Sequence, residues 1–217
     1  INTKKTMKYS DTDWLDAISR TGLIQNYDLS LSHASEKAST MFSIGYKKNA
    51  GIIKYTDFQN ISARMNSSYK LNKVVSIGEN FTLTRTDYVS SSPMENALKM
   101  APTVPLYEED GVTFSGTVGG MSDRQNPLRE IYQNQDNNSA IWRMFGNAYV
   151  DITPIKGLLL RSNFGLDYDS GYHHFYTYTF HSDIVNNDVP KVSTWHANDR
   201  KWNWSNTAQY TIDFGKE

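Results

Sequence analysis

Cysteine is absent from the 217-residue chain, and with it any disulfide framework or thiolate metal site. An excess of one charge is absent too. The 22 Lys and Arg stand against 23 Asp and Glu, so the basic footprint of a nucleic-acid binder is missing and no nucleic-acid partner is expected. No apolar run approaches the roughly 18 residues that cross a bilayer as a helix, and mean hydropathy is −0.60, so transmembrane helices are excluded. Ile1-Asn2-Thr3-Lys4-Lys5 is polar and lacks the basic-then-apolar order of a signal peptide. Hydrophobic residues reach only 38%, low for a packed globular domain. Aromatics, by contrast, are plentiful, with 14 Tyr, 9 Phe and 5 Trp. That combination suits a soluble all-β domain. It suits an outer-membrane barrel equally, because only alternate residues of each strand meet lipid. Asp213-Phe214-Gly215-Lys216-Glu217 stops where a strand turns, so a piece of a longer protein is expected.

Alternation with period two runs through long segments. Between Asn60 and Tyr69, Ile61, Ala63, Met65, Ser67 and Tyr69 form one face, and Asn60, Ser62, Arg64, Asn66 and Ser68 the other. Trp142, Met144, Gly146, Ala148, Val150 and Ile152 oppose Arg143, Phe145, Asn147, Tyr149 and Asp151. Leu158, Leu160, Phe164, Leu166 and Tyr168 oppose Arg161, Asn163 and Asp167, and the same split recurs from Trp202 to Phe214. Glu79 is a misfit, falling on the apolar side between Val75 and Leu83. Strands are therefore predicted near 24–34, 39–48, 58–71, 74–88, 139–153, 158–169 and 202–214. Several pass ten residues, against about 5–6 in soluble proteins. Twelve residues at roughly 3.3 Å each, tilted about 45°, rise about 28 Å, close to the hydrocarbon thickness of a bilayer.

The predicted connections alternate in length. Short turns at 35–38, at 72–73 and at 154–157, with another starting at Gly215, face a medium loop at 48–57 and long loops at 89–138 and 170–201. If the long loops lie outside, as in outer-membrane barrels, the chain divides into an extracellular loop with a short helix at 1–23 and barrel strands at 24–217, which the resemblance given below places early in the barrel. Ser92-Pro93-Met94-Glu95 has capping-box spacing, with Met94, Ala97, Leu98 and Ala101 on one helical face. A second helix is predicted from Thr12 to Ser19, with Trp14, Leu15 and Ile18 apolar. Trp142, Tyr168, Trp202 and Trp204 sit on the apolar face at long-loop ends, while Tyr69 and Phe214 sit at short-turn ends, as two interfacial girdles would. The competing reading is a secreted β-sandwich glycan-binding module whose aromatics cap a core.

Catalytic chemistry finds no foothold. His173, His174, His181 and His196 share a loop with Asp169, Asp183 and Asp199, but no metal-motif spacing is present. No Gly-x-Ser-x-Gly elbow exists, and Gly116-Thr117-Val118-Gly119-Gly120 follows no parallel strand. Neither catalytic residues nor a metal or cofactor are expected. The polar strand faces should line a lumen, and Asn60, Arg64, Asn66, Asn147, Tyr149, Arg161 and Asn163 are the candidate cargo-binding residues there. Their donors and acceptors match sugar hydroxyls, although a plain polar wall would use the same residues. Among loop aromatics, Tyr107, Tyr172 and Trp195 are candidates to stack on cargo.

Several segments, taken together, resemble the SusC/RagA family of TonB-dependent outer-membrane transporters. They include Thr12-Asp13-Trp14-Leu15-Asp16-Ala17-Ile18, Gln25-Asn26-Tyr27-Asp28-Leu29-Ser30-Leu31-Ser32, Phe42-Ser43-Ile44-Gly45-Tyr46, Met100-Ala101-Pro102-Thr103-Val104-Pro105-Leu106-Tyr107, Asn126-Pro127 and Phe145-Gly146-Asn147-Ala148-Tyr149. The resemblance implies an all-β fold, an antiparallel transmembrane β-barrel segment of about seven strands from a barrel of about 22. It also implies a Gram-negative outer-membrane location, a luminal plug that this sequence lacks, coupling to the TonB complex, and a SusD-like surface lipoprotein as lid. The cargo implied is an oligosaccharide or, less often, a peptide. His33-Ala34 departs from the family's usual Gly-Gly and alters only a turn.

Overall fold

A computed structural model describes residues 10–117, 123–181 and 186–212. Seven strands form one antiparallel sheet in sequence order, the simplest meander: β1 (Ile24–Ala34), β2 (Ala38–Ala50), β3 (Asp57–Lys70), β4 (Val75–Val89), β5 (Asn138–Ile152), β6 (Leu158–Thr177) and β7 (Lys191–Tyr210). Three short helices, α1 (Trp14–Ile18), α2 (Met94–Lys99) and α3 (Pro127–Asn134), stand at the long-loop end. Among the described residues no second sheet covers the first, so the sandwich alternative falls. The large residues of the apolar face stay open, with Leu29 64% exposed and Trp204 66%.

Register confirms one apolar and one polar face. Leu31, Phe42, Met65, Phe81, Gly146, Leu166 and Trp202 lie in one cross-strand row of the outer face. Trp142, Tyr168 and Trp202 occupy successive rows two residues apart on β5, β6 and β7. Tilt explains that staircase. At about 45°, one strand spacing of about 4.8 Å requires an equal shift along the strand, roughly 1.5 residues, to stay at one membrane height. Phe214 and the turn at Gly215 lie outside the described residues, as do Val118–Gly120 and Asp183.

Two expectations need correction. The loop placed at 170–201 shrinks to 178–190, because β6 and β7 each run 20 residues and pair from Leu158↔Tyr210 to Thr177↔Lys191. Twenty residues at about 3.3 Å outrun the bilayer, so this hairpin projects beyond it. Both faces of the projection meet water, and the apolar–polar contrast that marks a strand within the wall disappears there. The second correction concerns α2. Pro93 is its N-cap without a side-chain hydrogen bond, so the capping box at Ser92 does not form. Ala97 and Met100 are its buried residues, whereas Leu98 is 67% exposed and Met94 also faces out.

The buried core lies outside the sheet. Trp14, Ile18, Ala97, Met100, Val104, Leu128 and Ile131 pack together where α1, α2 and α3 meet, with Ile53, Ala101, Leu106 and Phe114 around them. The segment after α1 is tied into this cap. Arg20 donates to the carbonyls of Gly51 at 3.0 Å and Thr56 at 2.7 Å, and Lys54 Nζ donates to Ala17 at 2.6 Å. Residues 10–23, 51–56, 90–117 and 123–137 therefore form one compact cap at the long-loop end of the sheet.

Candidate functional site

The inner face is built by the polar alternate of each strand. Asn80 Nδ2 donates to Asn147 Oδ1 at 3.2 Å, and Asn147 Nδ2 donates to Asn163 Oδ1 at 2.5 Å, an amide ladder across β4, β5 and β6. Asn60 Nδ2 donates to Thr86 Oγ1 at 2.8 Å. Arg161 forks onto Asp151 at 2.6 and 2.7 Å with its guanidinium 4.4 Å from the centre of the Tyr149 ring. Arg143 forks onto Asp167 at 3.0 and 2.8 Å and also reaches Asp169 at 3.5 Å. The Tyr149 ring lies over Gly78, where a Cβ would stand 2.5 Å from the phenol, so only glycine fits beneath it.

These contacts sort the candidates. Asn60, Asn147, Asn163 and Arg161 bond to neighbouring strands, and the Tyr149 ring packs between Gly78 and the Arg161 guanidinium, so all five stiffen the wall. Arg64 and Asn66 do not. Together with Thr82, Thr84, Arg143 and Phe145 they line an inward-facing recess of about 580 Å³. Among the described residues, no hydrogen bond or ion pair holds Arg64. The wall thus presents a free guanidinium beside a neutralised one, a surface for carboxylate, phosphate or hydroxyl groups.

The aromatic candidates separate. Tyr107 lies in the cap, 5.2 Å centre to centre from Phe114, which is 5.5 Å from Tyr132. Tyr55 meets Tyr132 edge-on at 5.7 Å with φ of 62°, a left-handed backbone that is costly for a tyrosine. Tyr172 and Trp195 are strand residues of the projecting hairpin and occupy opposite faces, since Tyr172 pairs with His196 and Trp195 with His173. The Trp195 ring stacks on His173 at 4.8 Å, and His173 Nδ1 shares a 2.7 Å hydrogen bond with Ser139 Oγ. Tyr107, Tyr172 and Trp195 therefore do not form one site. Among the described residues no three His, Asp or Glu side chains gather as a metal would require.

Two residues absent from the sequence-based set hold the cap. Asn126, 1% exposed, caps α3 by accepting from the backbone N–H of Leu128 at 2.9 Å and Arg129 at 3.1 Å. Its Nδ2 donates to the carbonyls of Leu106 at 3.0 Å and Ser115 at 2.9 Å. An Asn-Pro pair with proline at the first helical position was the available signal. Replacing Asn126 with Leu uncaps the helix start and takes the side-chain donor from the Ser115 carbonyl, while the Leu106 carbonyl keeps the Ser115 N–H at 3.2 Å, and is expected to cost about 2 kcal/mol of local stability. Limited proteolysis of the cap should accelerate accordingly. Arg129, 3% exposed, lays its guanidinium 3.4 Å from the centre of the Phe180 ring, joining the cap to the segment after β6. Burial pulls its pKa down to about 10, partly opposed by Glu130. Tyr178 is pushed up to about 12, chiefly by donating a hydrogen bond to Asp136.

No protein-family model matches the chain. Curated relatives do. A TonB-dependent receptor, P26 of Formosa agariphila, is 27% identical over 212 residues, covering 96% of this chain and 21% of the relative. The TonB-dependent receptor SusC of Bacteroides thetaiotaomicron is 28% identical over 112 residues, covering 49% of this chain and 11% of the relative. Both are named as receptors rather than enzymes. Among solved structures, the RagAB peptide importer in its open-open state superposes with a TM-score of 0.79 at 21% identity, covering 99% of this chain and 25% of that one. This chain thus spans about a fifth to a quarter of P26 and of the RagAB chain. In sequence and in fold, it resembles an unclosed segment of the outer-membrane barrel wall of a TonB-dependent receptor of the SusC/RagA kind.

Proposed function

We propose that these strands belong to a TonB-dependent importer that carries an oligosaccharide or a peptide across the outer membrane with a SusD-like lipoprotein as lid. The supporting observation is the likeness to TonB-dependent receptors over 96% of the chain, borne by a sheet with one apolar and one polar face. The peptide option draws on the likeness to the RagAB peptide importer and the oligosaccharide option on the resemblance to the SusC/RagA family. In this reading the recess at Arg64 and Asn66 meets either cargo or the plug, and the cap with the projecting hairpin forms the outer vestibule where cargo and lid arrive. Seven strands alone leave two sheet edges unpaired in hydrocarbon, so the working unit is the intact transporter.

The test is growth. A strain lacking the intact transporter should lose growth on one oligosaccharide or peptide source and keep growth on monomers, and loss of TonB should reproduce the defect. Equal growth of wild type and deletion strain across such a panel would overturn the reading. Hydrolysis of a glycan by the purified transporter would point to an enzyme instead.

A further inference from the structure

Glu79 breaks the apolar face of the wall. It stands on the outer side of β4, in register with Ser67, whose hydroxyl donates to its Oε1. Among the described residues no cation pairs with it. A carboxylate turned toward hydrocarbon costs free energy unless a partner or the interface relieves it. Glu79 lies four residues from the turn-side start of β4, a height of about 9 Å at a tilt near 45°. A side chain leaning toward the turn reaches the headgroup boundary from there.

A groove opens on the same face beside this carboxylate. Gly146 and Ala148 form its floor, flanked by Met65, Phe81, Phe164 and Leu166, with a volume of about 480 Å³. The floor cannot be raised at Gly146, where a Cβ would stand 2.5 Å from the carbonyl oxygen of Asn80. An apolar trough at mid-wall with an unpaired anion at its turn-side end is complementary to one kind of molecule, an amphiphile with a hydrocarbon tail and a cationic head.

We propose that Glu79 and this groove bind an aminophospholipid of the periplasmic leaflet, its ammonium on the Glu79 carboxylate and one acyl chain over Gly146 and Ala148. The site explains why a charge without an ionic partner stands in the turn-side half of this face, whereas Arg85 and Asp87, on the same face near the long-loop end, pair with each other at 2.9 Å. It rests on the outer face meeting lipid and is independent of the cargo.

The experiment uses the intact transporter in mild detergent, offered equal amounts of phosphatidylethanolamine and phosphatidylglycerol and examined by native mass spectrometry. Wild type should retain the amine lipid about tenfold over the glycerol lipid, the worth of one charge-assisted hydrogen bond. Glu79→Gln should bring the two to parity. Ala148→Phe, which fills the trough, should lower retention of both, with heat-modifiable gel mobility confirming a folded barrel for each variant. No preference in wild type, or a preference unchanged by Glu79→Gln, would overturn the proposal. So would a dimer mass that Glu79→Gln dissociates while lipid retention is unaltered, since a second copy would then be the occupant.

Discussion

Leu29→Arg in the intact transporter is expected to lower barrel stability by about 2–4 kcal/mol, whereas Ser30→Arg, one residue on, should change it by less than about 1 kcal/mol. Leu29 lies on the outer face of β1 opposite Ile44, between Tyr27 and Leu31, and Ser30 lies on the inner face opposite Ser43. An arginine at Leu29 must shed water in hydrocarbon, while one at Ser30 remains in a polar lumen. Because each 1.4 kcal/mol is a factor of ten, the outer substitution should shift the unfolding equilibrium about 30- to 1,000-fold. Denaturant unfolding in lipid vesicles reads the difference directly. Equal costs at the two positions would mean that the outer face does not meet lipid.

Trp14→Ala should have an effect of similar size in a different place, about 3–5 kcal/mol confined to the cap. Trp14 is 3% exposed at the centre of the helical cluster, and its Nε1 donates to the carbonyl of Ala101 at 3.1 Å. Truncation removes the largest side chain of this buried core and one of the two donors to that carbonyl, which keeps only the Val104 N–H at 3.1 Å. Neighbouring contacts fail with it, since Thr12 bonds Pro102 and Val104 at 2.8 Å on the same helix entry. Hydrogen exchange in 94–134 should accelerate by a hundredfold or more, while protection in β2 to β6 is retained. Loss of protection throughout the sheet would show the cap and wall to be one cooperative unit. Unchanged exchange in the cap would show that Trp14 is not its keystone.

Legibility in the sequence followed the solvent. Where one face meets hydrocarbon and the other water, every second residue is constrained, and 24–34, 58–71 and 74–88 were placed to within a residue or two at each end. The extension of β6 and β7 was not legible. Ser170-Gly171-Tyr172-His173-His174 and Trp195-His196-Ala197 have water on both sides, and alternation carries no information there. Glu79 read as a misfit because pattern alone does not show that Ser67 stands beside it. Helix α3 went unplaced although Asn126-Pro127 marks its start, because its buried side chains satisfy a cap assembled from three separated segments.

The candidate site divides along the same line. The sequence by itself determined which side chains share the inner face, since strand geometry sends alternate residues to opposite sides whatever surrounds them. It also pointed to the barrel-segment class, through strand length and the resemblance of its segments to the SusC/RagA family. Only the tertiary structure decided which inner residues are already engaged, because that depends on register. Arg161 is opposite Asp151, and Arg143 is one register row from Asp167, while Arg64 is opposite Ser43 and Thr82 and remains free. It alone separated Tyr172 from Trp195, and it alone gathered Trp14, Val104 and Ile131 into one core. Residues far apart in the chain meet only through packing, which no local periodicity encodes.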